Sequence, residues 1–191
     1  MDNIFTHKFG GWYDAPARRW KNTDGSEGGI VATNAIVPAK VRIPADCVVW
    51  PNAKISENDA RIGDGASIGN RASIGNRASI GDGASIGYGA SIGDGASIGD
   101  GAKYNAGDWL FVFGPQGPNN MLATVVWSVE NRELQWWVGC RHAKTTEQML
   151  EKIEREHGAT AHGDDYRHAV QCVVNHPGLA RAIACATKKE A

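Results

Sequence analysis

Isoleucine returns every six residues through the middle of this chain. From Arg61 the text runs RIGDGASIGNRASIGNRASIGDGASIGYGASIGDGASIGDGAKY, with Ile62, Ile68, Ile74, Ile80, Ile86, Ile92 and Ile98 in step and Tyr104 in the next place. Val31, Val37, Ile43, Val49 and Ile55 carry the spacing upstream, and one seven-residue step, Ile55 to Ile62, interrupts it. Alanine stands two positions before most of these residues, and glycine follows each isoleucine from Ile62 to Ile98. Two apolar residues separated by one serine point to the same side of an extended backbone, with the serine on the other side. The Gly-Asp and Gly-Asn pairs suit tight corners. Collagen is excluded because glycine does not fall at every third position. A flexible Gly-Ser linker is excluded because the apolar spacing is strict.

Three such segments make a triangular coil of eighteen residues, and successive coils stack at the strand spacing. The pattern predicts a left-handed parallel β-helix of about four coils over residues 31–107, stabilised by stacking because one coil encloses no core. Each buried isoleucine contributes about 1.5–3 kcal/mol. The eighteen-residue period, lengthened to nineteen across the seven-residue step, places Ile62, Ile80 and Ile98 on a first face; Val49, Ile68, Ile86 and Tyr104 on a second; and Ile55, Ile74 and Ile92 on a third. These repeats resemble the hexapeptide-repeat superfamily, and that resemblance implies a homotrimer.

Outward positions separate the faces further. The second face shows Val48, Ser67, Ser85 and Lys103, with Trp50 at its edge; the first shows Arg42 and Arg61 before Ser79 and Ser97. The less charged second face is the favoured subunit contact, with simple solvation as the alternative. Asp64, Asp82 and Asp100 stack at one corner, either as a carboxylate column for a hard cation or as ordinary corner residues. Asn70 and Tyr88 stack at another corner beside Arg71. Tyr88 breaks the Asp/Asn corner series, and amide, ring and guanidinium together form the candidate ligand-binding site, for a base or a phosphate. A tyrosine that merely covers its neighbours is the plainer reading.

Both ends of such a prism need covers. Residues 1–30 hold Phe5, Phe9, Trp12, Tyr13 and Trp20 among Gly, Pro and Asp, too irregular for a helix or a strand; they read as an aromatic cap, or as an arm reaching a neighbouring subunit. After Tyr104 the repeat stops. Residues 108–191 read as a small α+β domain. WLFVFGP (109–115), MLATVVWSV (121–129) and LQWWVGC (134–140) are expected to form a three-stranded antiparallel meander. Two or three helices follow. The first is capped by Thr145 with Gln148 and ended by Gly158, the second capped by Asp164 or Asp165, the third opened by Pro177. The string WWVGC…T…EREHG…HG…Y…A over residues 136–170 resembles the C-terminal module of small phage and prophage hexapeptide-repeat proteins.

A net charge of -1 gives no general pull toward nucleic acid or membrane. No apolar run is long enough to span a bilayer, the N-terminus lacks a secretion signal, and Cys47, Cys140, Cys172 and Cys185 form no CxxC pair, so a cytoplasmic location with reduced thiols is expected. The family resemblance implies acyltransferases with a coil histidine as general base, or carbonic anhydrases with three coil histidines on zinc. No histidine stands between His7 and His142, which disfavours both. His142, His157, His162, His168 and His176 lie in the C-terminal domain at spacings that fit no zinc pattern, and a Cys140/His142 nucleophile pair lacks an orienting third group. Arg18, Arg19 and Lys21 with Trp20 make a small basic-aromatic patch that reads as a surface cluster. No catalytic residue, metal site or cofactor is assigned.

The expected function is therefore a non-catalytic homotrimeric binding protein, with either a small anionic ligand, plausibly a nucleotide, in grooves between subunits or a protein partner at its caps. The phage-like resemblance implies a narrower form, an immune-evasion protein that sequesters a nucleotide signal. The alternatives are an acyltransferase with an atypical base, such as His142 or His157, and a structural or assembly trimer of a virion.

Overall fold

The structure is a computed structural model that describes residues 3–57, 59–116, 121–129, 132–138, 141–143 and 145–188. Contacts divide the chain into two compact units, Met1–Ala106 and Gly107–Ala191.

The first unit is the prism. Short strands β4 (Val48–Val49), β7 (Ser67–Ile68), β10 (Ser85–Ile86) and β13 (Lys103–Tyr104) pair in parallel on one face. Strands β5 (Lys54–Ile55), β8 (Ser73–Ile74) and β11 (Ser91–Ile92) form the next, and β6 (Arg61–Ile62), β9 (Ser79–Ile80) and β12 (Ser97–Ile98) the last. These are the three columns that the eighteen-residue period sorts out. The interior is filled by alanine and isoleucine alone over most of its length: Ala66, Ile68, Ala72, Ile74, Ala78 and Ala84 are fully buried. Backbone bonds run coil to coil, as from Ser67 N to the Ala84 carbonyl at 2.9 Å and from Gly69 N to the Ile86 carbonyl at 2.7 Å.

The glycines divide into two kinds. At Gly63, Gly69, Gly75, Gly81 and Gly87 the glycine after isoleucine is set by space: a Cβ at Gly69 would lie 2.5 Å from the Ile86 carbonyl oxygen. The left-handed backbone angles belong instead to the residue after the corner Asp, Asn or Tyr, as at Gly65 (φ 68°) and Gly83 (φ 65°). So the Gly-Asp pair itself does not carry the left-handed turn; its glycine makes room and the next residue turns the chain.

Residues 5–32 correct the expectation of an irregular plug. They form β1 (Phe5–Phe9), β2 (Tyr13–Lys21) and β3 (Glu27–Ala32), an antiparallel run whose last strand pairs in parallel with β4. The second face thus becomes a seven-stranded sheet. The physical reason is the open edge of β4, whose unpaired backbone groups template another strand. Alternation was present in YDAPARRWK but hidden by small residues: Ala15 and Ala17 are buried on one side of β2, and Trp20 on the other.

Trp20 and Asn22 close the first coil. The Trp20 indole donates to the Val41 carbonyl at 3.2 Å. The Asn22 amide imitates a paired strand, accepting from Ile43 N at 2.9 Å and donating to the Ile43 carbonyl at 3.2 Å. On the opposite side of the hairpin Phe9 is fully buried against Trp50, ring centroids 5.4 Å apart. Gly10 turns at φ 58° directly over the Trp50 ring, where a Cβ would stand 2.8 Å from it.

The second unit is the expected meander with helices. Strands β14 (Trp109–Gln116), β15 (Met121–Ser128) and β16 (Glu133–Val138) run antiparallel, and a short β17 (Arg141–Ala143) adds a fourth. Helices α1 (Thr146–His157), α2 (Ala161–Val174) and α3 (Pro177–Lys188) follow. Val125, Trp136, Met149, Ile153, Val170 and Val173 form the core. Thr145 caps α1 by accepting from Gln148 N at 3.2 Å. The cap of α2 is Thr160, accepting from Gly163 N at 3.2 Å, and not Asp164 or Asp165. Asp164 lies inside the first turn, where its charge suits the helix dipole and pairs with Arg167 at 2.7 Å. Among the described residues no helix is long and apolar enough to cross a membrane.

Asn22 satisfies two backbone groups of Ile43 that would otherwise be buried without partners. Asn22→Ala is therefore expected to lower unfolding stability by about 1–3 kcal/mol, measured by chemical denaturation.

Candidate functional site

The corners of the prism carry its chemistry, since its faces present mainly serine. At the first corner the carboxylates are engaged by the backbone. Asp64 N donates to the Asp82 carboxylate at 2.8 Å, and Asp82 N donates to that of Asp100 at 2.9 Å. At the third corner Asp94 does the same for Asn76 N at 2.8 Å. Each carboxylate ties its coil to the one before it, which explains the aspartate columns as structural. Among the described residues no three His, Cys, Asp or Glu side chains converge as a metal site would need.

The second corner departs from this rule twice. Tyr88 occupies the place in its coil that Asp82, Asp94 and Asp100 hold at the other corners, and a phenol there supplies no carboxylate acceptor. Arg71 takes the left-handed corner position, φ 59°, that Gly65, Gly83, Gly89, Gly95 and Gly101 take elsewhere. A left-handed non-glycine residue costs roughly 1–2 kcal/mol. Arg77, φ 55°, repeats the substitution at the next corner beside Asn76.

The two departures meet. Arg71 Nη1 donates to the Tyr88 hydroxyl at 2.8 Å, and its guanidinium carbon lies 5.8 Å from the Tyr88 ring centroid. Tyr88 is 61% exposed. Asn70, between Gly69 and Arg71, is half-buried, and its carbonyl accepts from Gly89 N at 2.8 Å. The candidate residues Asn70, Arg71 and Tyr88 thus occupy one exposed corner of adjoining coils, with Arg71 and Tyr88 in direct contact. Trp50 stands one coil before Arg71, half-buried, its indole donating to Ser67 Oγ at 3.3 Å.

The other candidates scatter. His7 lies on β1, edge-on to Phe9 with centroids 4.7 Å apart. His157 packs on Tyr166 at 5.0 Å. His168 Nε2 is 3.5 Å from Cys172 Sγ, and His162 is exposed. His176 Nδ1 accepts from Gly178 N at 3.0 Å and packs against Trp109 and Phe111. Cys140 and the His142 side chain lie outside the described residues. Strand alternation splits the basic-aromatic patch: Arg18 lies over the Trp20 ring at 5.3 Å, while Arg19, on the other side of β2, is 3.8 Å from Glu27. Cys47 is buried, its thiol donating to the Gly63 carbonyl at 3.0 Å. Burial pushes that thiol up to about 11.

Prism, corner geometry and repeat define the class: the first unit is a left-handed β-helix of the hexapeptide-repeat type. Residues 57–94 match the family model described as bacterial transferase hexapeptide (six repeats). No curated protein shows significant similarity to the chain.

If Tyr88 and Arg71 serve something other than folding, replacing them should stabilise the prism. Tyr88→Asp restores the corner carboxylate and is expected to add about 0.5–1.5 kcal/mol. Arg71→Gly relieves the left-handed backbone and is expected to add up to about 1 kcal/mol. Thermal unfolding measures both, and a fall in either would mark that residue as structural.

Cys47 stays protonated well above neutral pH, so it is expected to resist iodoacetamide at pH 8 while exposed Cys172 reacts. Peptide mapping by mass spectrometry reads the order.

Proposed function

We propose that the chain is a non-catalytic binding protein that works as a homotrimer, and that the Asn70–Arg71–Tyr88 corner receives an anionic ligand. One observation carries this reading. Arg71, left-handed where most corners have glycine, and Tyr88, in the place of a corner aspartate, are hydrogen-bonded to each other, at 2.8 Å, on an exposed edge. Strain held at an exposed polar site is characteristic of function. A guanidinium beside an aromatic ring recognises a carboxylate or phosphate next to a flat group.

The hexapeptide repeat supports the trimer, and its favoured contact is the second face, where outward Ser67 and Ser85 let two flat faces approach closely. An anionic ligand at its edge would then lie in a groove between subunits. Sequestration of a nucleotide signal by a phage-encoded chain is the narrow form of this reading. Acyl transfer, which the name of the matched family raises, finds less support, because His7 is the only histidine before His142 and it packs edge-on between Phe5 and Phe9.

Sedimentation equilibrium should report three subunits. Calorimetry with a panel of mononucleotides, cyclic nucleotides and uronic acids should find at least one ligand whose affinity falls by about tenfold or more in Arg71→Gly, the loss of a charge-assisted contact. Silence across the nucleotides removes the signal-sequestering form; silence across the whole panel removes the binding reading.

A further inference from the structure

Aromatic rings continue from Tyr88 along the same edge of the prism, half-buried at Trp50 and exposed at Trp12. Trp50 N donates to the Ile68 carbonyl, Gly69 N to that of Ile86, and Gly87 N to that of Tyr104, which sets Trp50, Arg71 and Tyr88 on three successive coils. At the spacing of stacked strands, Trp50 and Tyr88 stand about 10 Å apart along the axis, with Arg71 between them. The hairpin adds a further ring beyond Trp50. Trp12 lies 6.2 Å from Trp50, centroid to centroid, and is 74% exposed; Tyr13 is 6.0 Å from Trp12. Gly10 holds this turn against Trp50, so Trp12 is placed by a built contact. Planar polar groups flank the rings. Asn52 and Asn34 bond through their side-chain amides at 3.2 Å at the same corner, one and two coils before Arg71.

We infer that this edge, from Tyr88 through Arg71 and Trp50 to Trp12, binds an extended acidic oligosaccharide. The inference rests on the proposed anion site at Arg71 and names the class of its ligand. A pyranose ring offers an apolar C–H face to an aromatic platform and a rim of hydroxyls to amide and guanidinium groups. A carboxylate or sulfate on the sugar would meet Arg71 in its forked geometry. Rings set along a straight rod favour an elongated ligand over a compact one. A single-stranded nucleic acid could also stack on such rings, but it brings one phosphate per nucleotide and needs a line of cations to follow it. Among the rings of this edge, the described cation–ring contact is that of Arg71 with Tyr88. A sparsely charged glycan fits that arrangement better.

The test is calorimetry on the full chain with oligogalacturonates from disaccharide to hexasaccharide, a neutral cello-hexaose, and a single-stranded oligo-dT. Affinity should rise with galacturonate length and exceed that for cello-hexaose. Trp12→Ala should weaken the hexasaccharide by about tenfold, the loss of one stacked ring, and leave the disaccharide unchanged. Arg71→Gly should weaken every acidic length. Circular dichroism melting should show Trp12→Ala folded as the parent, since that ring is largely in solvent. Arg71-dependent binding of small anions with no gain from length, or with Trp12→Ala silent, would overturn the glycan and leave the anion site standing. Tighter Trp12-dependent binding of oligo-dT would overturn the ligand class. Absence of any Arg71-dependent anion would overturn both.

Discussion

Everything in the first unit depends on stacking coils around a filling of alanine and isoleucine. No coil has an inside until its neighbours close it above and below. Two constraints act together at each level. The inward side chains must be small enough at alanine and large enough at isoleucine to fill a triangle, and the glycine after isoleucine must let the next coil approach to hydrogen-bonding distance. Faces with serine outward are the consequence. They tolerate almost anything the size of a hydroxyl and specify little chemistry. Variation that matters is therefore confined to the corners and to the covers at the ends.

This explains where the sequence was informative. The eighteen-residue period placed every core residue from Val49 to Tyr104 on its face, because stacking makes sequence distance and spatial neighbourhood interchangeable there. It also brought Asn70, Arg71 and Tyr88 to one corner. What it did not yield was the direct contact of Arg71 with Tyr88, which depends on side-chain reach, or the left-handed angle at Arg71, which only the pattern of glycines at equivalent corners hints at.

Outside the repeat, local signals compete. Residues 5–32 became strands through pairing with the edge of β4, a tertiary cause whose local signature, the alternation along β2, is masked by small residues, glycine and Pro16. Thr160 won the α2 cap over two aspartates because the helix begins a turn earlier than their charge indicates, and Asp164 serves the dipole from inside its first turn. The meander was readable from its alternating apolar runs and turn residues, though its short fourth strand was not. Trp12 and Trp50 illustrate the limit for function. The repeat spacing puts Trp50 at a face edge and leaves Trp12 in an undivided aromatic cap, and only the hairpin's return over the prism edge sets the two side by side.

The ligand proposed for this protein would lie along the aromatic edge of the prism. Residue-resolved NMR during a titration with hexagalacturonate addresses this placement most directly. Progressive shifts are expected for the Trp12 and Trp50 indole N–H signals and for the Arg71 Nε–H, with the buried indoles of Trp20 and Trp136 unmoved. Shifts confined to Trp20, Trp136 or the helices of the second unit would contradict it, as would an unchanged spectrum at saturating ligand.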